Sequence, residues 1–145
     1  MLIDLDRIAG LIPHSGTMCL LHSVESWDNE RIACLATSHR SADNPLRRDG
    51  RLGVACGVEY AAQAMALHAA LNARSPDRPG RGYLASLRSV TFAQAHLDTV
   101  PGFLVVKAAC LHRETDRAIY DFAIRDHERD LLQGRAVVVF GPGGP

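Results

Sequence analysis

The chain carries no excess of charge: its sixteen basic and sixteen acidic residues cancel, and its pI is near 7.0. Without a net field there is nothing global to hold nucleic acid or an anionic membrane surface. Long apolar runs are missing too. The most apolar stretch, Val54–Leu71, is interrupted by Glu59, Gln63 and His68, too polar for a spanning helix. The first residues, Met-Leu-Ile-Asp-Leu-Asp, lack the basic start and small-residue cleavage site of a signal peptide, so a cytoplasmic location is expected. Cysteine is sparse. Cys19, Cys34, Cys56 and Cys110 are far apart, form no CxxC pair and sit among apolar neighbours, as expected for reduced, buried thiols. No GxSxG elbow, P-loop or HExxH is present, and His22, His39, His96, His112 and His127 show no metal-ligand spacing. Neither a metal nor a cofactor is expected.

What is present fits one domain. With 145 residues, 47% of them hydrophobic and 22% charged, the chain can bury one sizeable core. Residues 1–140 are expected to form it, and 141–145 a flexible tail. Asp4–Ile12 reads as a short helix stopped by Pro13. Strands are expected at Met18–Trp27, Arg31–Ser38, Tyr83–Ala93, Phe103–His112, Ala118–Arg125 and Leu132–Phe140, with Ser41–Gly53 and Ser75–Gly82 as loops. In 118–124, Ala118, Tyr120, Phe122 and Ile124 share one face and Asp121 lies on the other, the period of a strand. Short turns at Thr115-Asp116 and Asp126–Asp130 favour antiparallel pairing.

Val54–Arg74 is rich in alanine, leucine and methionine and predicts a long helix. Gln63 follows Glu59 at a spacing of about 40° round the helix, so the two share a stripe; His68 lies about 180° away. A helix apolar on most sides is buried on most sides. Set between two strands and four, it predicts an α+β architecture in which a curved antiparallel sheet wraps a central helix.

Glu59 is the residue that needs a reason. A carboxylate inside a buried helix is paired, capping, or at work, and its second-turn position places it in the positive potential of the helix start. His14, in the tight Pro13–Gly16 loop, is a candidate acid or base, or a histidine bound to backbone. His68 reads as a core or interface histidine. Arg47, Arg48 and Arg51 crowd one loop, either as a small patch for a phosphate or an acidic partner or as a solvated charged segment.

These fragments resemble, in order and spacing, the hotdog-fold 3-hydroxyacyl-[acyl-carrier-protein] dehydratases. Leu11-Ile-Pro-His14 with Met18-Cys-Leu-Leu21 is similar to the family's opening. Asp43-Asn-Pro45 is similar to its Asn-Glu-Pro segment, and Glu59-Tyr-Ala-Ala-Gln63-Ala-Met65 to its central-helix motif. Tyr83–Arg88 and Val100-Pro-Gly102 are similar to the strand and turn that follow. Asp43–Leu52 together with Glu59–Met65 is similar to the aryl-polyene dehydratase subgroup. The resemblance implies a hotdog fold and loss of water from a carrier-protein-bound 3-hydroxyacyl thioester to give a trans-2-enoyl thioester. It also implies sites built across a homodimer or heterodimer interface, without metal or organic cofactor. Glu59 then becomes the acid/base and Gln63 the group that orients it. Val54 and Gly57 at the helix start become backbone donors for the thioester oxygen, Arg47 and Arg48 binding residues, and His14 a second chemical group. One departure stands out. Where the family's catalytic histidine falls, this chain has Pro45, and 47–53 contains no histidine. That opens two alternatives: a non-catalytic hotdog subunit that completes or stabilises an active dehydratase partner, and a hotdog thioesterase in which Glu59 activates water.

Overall fold

The computed structural model describes residues 3–11, 16–73 and 82–140. Helix α1 (Leu5–Leu11) is followed by strands β1 (Ser23–Trp27) and β2 (Arg31–Ala36), the long helix α2 (Gly57–Asn72), and strands β3 (Gly82–Phe92), β4 (Leu104–Arg113), β5 (Arg117–Arg125) and β6 (Asp130–Phe140). The six strands form one antiparallel sheet in the order β1-β2-β4-β5-β6-β3. This is the α+β hotdog arrangement expected from the sequence.

Two aspartates close hairpins in the same way. Asp28 Oδ1 accepts from the N–H groups of Glu30 and Arg31, both at 2.8 Å, between β1 and β2. Asp126 Oδ1 accepts from Glu128 and Arg129 at 2.7 and 2.8 Å between β5 and β6. A side chain that mimics a backbone turn is why aspartate serves here. The period-two reading of β5 holds: Ala118, Tyr120, Phe122 and Ile124 are all buried. They pack with Ile32 and Cys34 of β2 and Leu104 and Val106 of β4 in one core.

Helix α2 lies on β2, β4 and β5 and touches α1. Its buried residues run round most of its circumference, from Tyr60 through Met65 to Ala69. His68 locks its far half: Tyr120 Oη donates to Nδ1 (2.7 Å), and Nε2 donates to the Asp28 carbonyl (2.9 Å). The neutral imidazole is thereby satisfied on both sides, the core role the sequence suggested. Cys34, wholly buried, has its thiol pushed up to about 12 by desolvation.

Several boundaries differ from expectation: β2 ends at Ala36, before a 3₁₀ turn at Ser38–Arg40, not at Ser38, and β6 begins at Asp130, not Leu132. The first strand begins at Ser23, not Met18. Residues 16–18 form a 3₁₀ turn, and the backbone of Met18 and Leu20 is occupied by a side chain, as described below. Within Val54–Arg74 the α-helix starts only at Gly57, after a 3₁₀ turn at Val54–Cys56 whose first N–H donates to the Ala95 carbonyl. It ends at Asn72, whose Nδ2 donates to the His68 and Asp28 carbonyls. Arg74, most of the 75–82 loop and the 141–145 tail lie outside the described residues.

Strand β3 is different from the others. Leu84 and Leu87 pair with Val138 and Ala136, and Phe92 with Leu132, so they face the helix side of the sheet. Yet Leu84 is 39% exposed, Leu87 40% and Phe92 66%. Helix α2 stops short of this strand and leaves an apolar strip along an open sheet edge.

Candidate functional site

The first turn of α2 is held against the sheet by the absence of a side chain. A Cβ on Gly57 would lie 2.7 Å from Leu132 Cδ2 and 3.1 Å from Ile124 Cγ1. Only glycine lets the helix start approach so closely. Two residues on, still in that first turn, stands the half-buried Glu59.

Gln63, one turn later, is completely buried and works on the opening segment. Its Oε1 accepts from the Leu20 N–H (2.9 Å), and its Nε2 donates to the Met18 carbonyl (2.6 Å). The amide thus replaces a neighbouring strand for residues 18–20 and ties them to the stripe that carries Glu59. His14 lies outside the described residues.

A second network braces the same end of α2. Asn44 Nδ2 donates to Tyr60 Oη (2.9 Å) and to the Ser38 carbonyl (2.9 Å), while Asn44 Oδ1 accepts from the Leu46 N–H (2.9 Å). Ser38 Oγ donates to the Leu20 carbonyl (2.7 Å), so its contact with Tyr60 Oη (2.7 Å) takes the tyrosine proton. The chain Asn44–Tyr60–Ser38–Leu20 is consistently oriented, and such chains strengthen each bond. Burial pushes the Tyr60 hydroxyl above its usual range, partly offset by the bonds to Ser38 and Asn44. Beside it His39 is fully buried. Its Nε2 donates to the Val100 carbonyl (2.9 Å), anchoring the Pro101-Gly102 turn, and its Nδ1 has no partner among the described residues. Burial holds its imidazole below the usual range, so it is neutral.

The arginine loop is not a free cationic patch. Arg47 spends its guanidinium on three carbonyls, those of Ser41 (2.8 Å), Gly50 (2.7 Å) and His39 (3.1 Å). Arg51 pairs with Asp98 at 2.9 Å, and the Asp98 carboxylate also accepts from the Leu52 N–H. Arg48 and Arg51 exchange backbone bonds across Asp49-Gly50, both at positive φ (52° and 76°), as a tight two-residue turn demands. Arg48 alone of the three projects an exposed side chain with no ion pair among the described residues. The expected backbone donors are likewise engaged: Val54 N–H with Ala95, and Gly57 N–H with the carbonyls of Ala55 and Val54.

The structure therefore brings Gln63 and the 18–20 segment together, on the helix stripe that also carries Glu59, and turns Arg47 into a loop clamp. It adds groups the residue pattern did not single out: Asn44, Ser38, Tyr60 and His39 behind the site, and His96, whose backbone bridges Gly53 just before the helix start. Asn44 was visible only as part of the Asp-Asn-Pro resemblance. Among the described residues no three histidine, cysteine, aspartate or glutamate side chains gather as a metal site, and no helix is long and apolar enough to cross a membrane.

Known proteins share this framework. A chain of the dehydratase heterocomplex ApeI:P from Xenorhabdus doucetiae superposes with a TM-score of 0.80 at 20% identity, over 94% of this chain and 91% of that one. A mutant form of the thioesterase PA1618 from Pseudomonas aeruginosa matches with a TM-score of 0.68 at 14% identity, over 98% and 96%. The PaaI protein of the phenylacetic acid degradation operon of E. coli matches at 0.62 and 13%, over 92% and 88%. At these identities the likeness establishes the fold. No curated protein matches the chain in sequence. A family profile does: that of the ApeP-like proteins, described as ApeP dehydratase, spans residues 6–143, and the chain belongs to the ApeP-like dehydratase family.

Proposed function

We propose that the chain is one subunit of a dehydratase that converts carrier-protein-bound 3-hydroxyacyl thioesters to trans-2-enoyl thioesters in aryl-polyene or fatty-acid-like synthesis, with Glu59 as its acid/base. The observation that carries this reading is the placement of Glu59 on the first turn of α2, one turn before Gln63, which pins the 18–20 segment by two hydrogen bonds. In the reaction a base takes the C2 proton, the electron pair forms the C2–C3 double bond, and the C3–O bond breaks as an acid protonates the leaving hydroxyl. Glu59 serves one of these proton transfers and an imidazole the other. A positioned group of this kind contributes about 10²–10⁴-fold.

Of the described histidines, His39 and His68 are buried and committed to carbonyls, and neither is at hand for substrate. The candidate for the second group remains His14 of the opening loop, or an imidazole from a partner. The uncovered strip of β3 supports a partner, because a long edge strand with exposed Leu84, Leu87 and Phe92 invites pairing. The heterocomplex in which a structurally similar chain occurs makes a second hotdog subunit the natural occupant.

The test is an assay of 3-hydroxyacyl thioester turnover by the purified protein, alone and mixed with a hotdog dehydratase partner. Enoyl product is expected, and Glu59→Gln should remove it without loss of folding or association. Product from the lone protein that survives in Glu59→Gln refutes the role of Glu59. Product only from the mixture, insensitive to His14→Ala, assigns the imidazole to the partner; free acid identifies a thioesterase instead.

A further inference from the structure

The face of the sheet turned away from α2 holds a cavity of about 800 Å³. Strand alternation shows which face this is: Ala33, Lys107, Asp121 and Arg135, which line it, alternate with buried Ile32, Val106, Tyr120 and Ala136. It is therefore separate from Glu59, which stands on the helix. Its lining is unusual for a chain of no net charge: Arg31, Arg88, Lys107 and Arg135 face a single carboxylate, Asp121. Lys107 is the only lysine in the protein.

The charges fall into two groups. Arg88 and Arg135 are register partners on β3 and β6, and Asp121 is the register partner of Arg135 on β5. Arg135 takes that carboxylate in two bonds, at 2.8 and 3.3 Å. Arg88 is left beside a like charge with no ion pair of its own among the described residues. Like charges directly opposite each other destabilise a sheet. The strand is also distorted here: the register slips between Arg88 and Thr91, and Ser89, at φ 52°, occupies a left-handed conformation that non-glycine residues rarely adopt. The other group is Arg31 on β2 and Lys107 on the adjacent β4. Between the groups, on β4 and β5, lie Ala109, Ala123 and the Asp121 carboxylate, whose charge Arg135 offsets. With β5 between β4 and β6, the two groups rise from backbones about 10 Å apart.

We infer that this cavity binds an elongated organic dianion, with one anionic group on Arg88 and Arg135, the other on Arg31 and Lys107, and an apolar middle that crosses β4 and β5 over Ala109 and Ala123, beside the Asp121 carboxylate held by Arg135. The volume falls in the range of small-ligand sites, about 300–1,000 Å³. Guanidinium pairs suit carboxylates and phosphates alike, so the probes separate the two sources. The test is calorimetric titration of the intact protein at low salt with nonanedioate, nonanoate, adenosine 3′,5′-bisphosphate and inorganic phosphate. At least one two-ended probe should bind tenfold or more tightly than nonanoate and phosphate, and which one does names the anion. Arg88→Gln and Lys107→Gln should each weaken that binding about tenfold or more. Arg88→Gln should also raise the melting temperature of the unliganded protein, since it removes a like-charge pair, a signature that a purely structural arginine would not give. Equal binding of one- and two-ended anions, or binding unmoved by both substitutions, overturns the assignment. So does a change of particle mass in light scattering for Arg88→Glu, which would make this face an interface between copies.

Discussion

Gly57→Ala tests how the site end of α2 is positioned. In an open helix the change would gain up to about 1 kcal/mol in propensity. Here the new methyl would meet Leu132 Cδ2 at 2.7 Å, Ile124 Cγ1 at 3.1 Å and Leu97 Cδ1 at 3.5 Å. The first of these distances is unattainable without movement. All three neighbours are at most 1% exposed, so none has free space to yield into. Overpacking of this kind costs about 1–3 kcal/mol. The balance is a net loss of about 1–2 kcal/mol, or roughly 3–6 °C in Tm for a domain of this size. Gly10→Ala is the matched control, because its Cβ would meet nothing within 4 Å; it should be neutral or stabilising by up to about 1 kcal/mol. Thermal unfolding of both variants, followed by circular dichroism, decides the matter. Since relief of the clash lifts the helix start, Gly57→Ala should also lower turnover through Glu59 even where the protein stays folded. A Gly57→Ala protein as stable as the parent, or a Gly10→Ala protein equally damaged, would refute the close-approach argument.

Further outcomes follow from the buried polar groups. Tyr60→Phe leaves the Asn44 amide and Ser38 hydroxyl short of a partner and should cost about 1–3 kcal/mol in urea unfolding. Gln63→Leu strips partners from the Leu20 N–H and the Met18 carbonyl; hydrogen exchange at Leu20 should accelerate selectively. Burial, opposed by hydrogen bonds to the Val100 and Asp28 carbonyls, lowers the proton affinity of His39 and His68 in the folded state. The unfolded chain then binds more protons below about pH 6.5, so stability is fully present above that pH and falls as acid titrates the folded imidazoles. His68→Gln should flatten this dependence below about pH 6.5; a profile identical to the parent's would deny the histidine its part. Leu87→Lys, on the uncovered side of β3, should weaken association in light scattering and leave the monomer folded.

The parts of the molecule legible in the sequence were those written in periodicity. Alternation in 118–124 and the nearly all-round apolar character of α2 each translate directly into a buried face. Glu59 and Gln63 were legible because polar residues are conspicuous in such a helix. Asn44 and Ser38 were not, since a polar residue among charged loop neighbours looks solvated until the fold wraps the loop over Tyr60. The bonding of Arg47 was hidden for the same reason: three carbonyls converge on it only after Ser41–Gly50 has folded back on itself. The start of β1 was misplaced because side-chain capture of a backbone by Gln63, 43 residues from Leu20 in the chain, has no local signature.

The place of β3 in the sheet sets the order in which the protein can be made. It precedes β4 and β5 in the chain, yet among the described residues its only strand neighbour is β6. As the chain leaves the ribosome, residues 82–92 emerge, apolar and unpaired, and must wait for the whole of 104–125 and then 130–140 before their hydrogen bonds are met. The closing of the sheet is thus a late, long-range event, of the kind that folds slowly. The same strand that offers an edge for assembly is, during synthesis, the segment most in need of shelter.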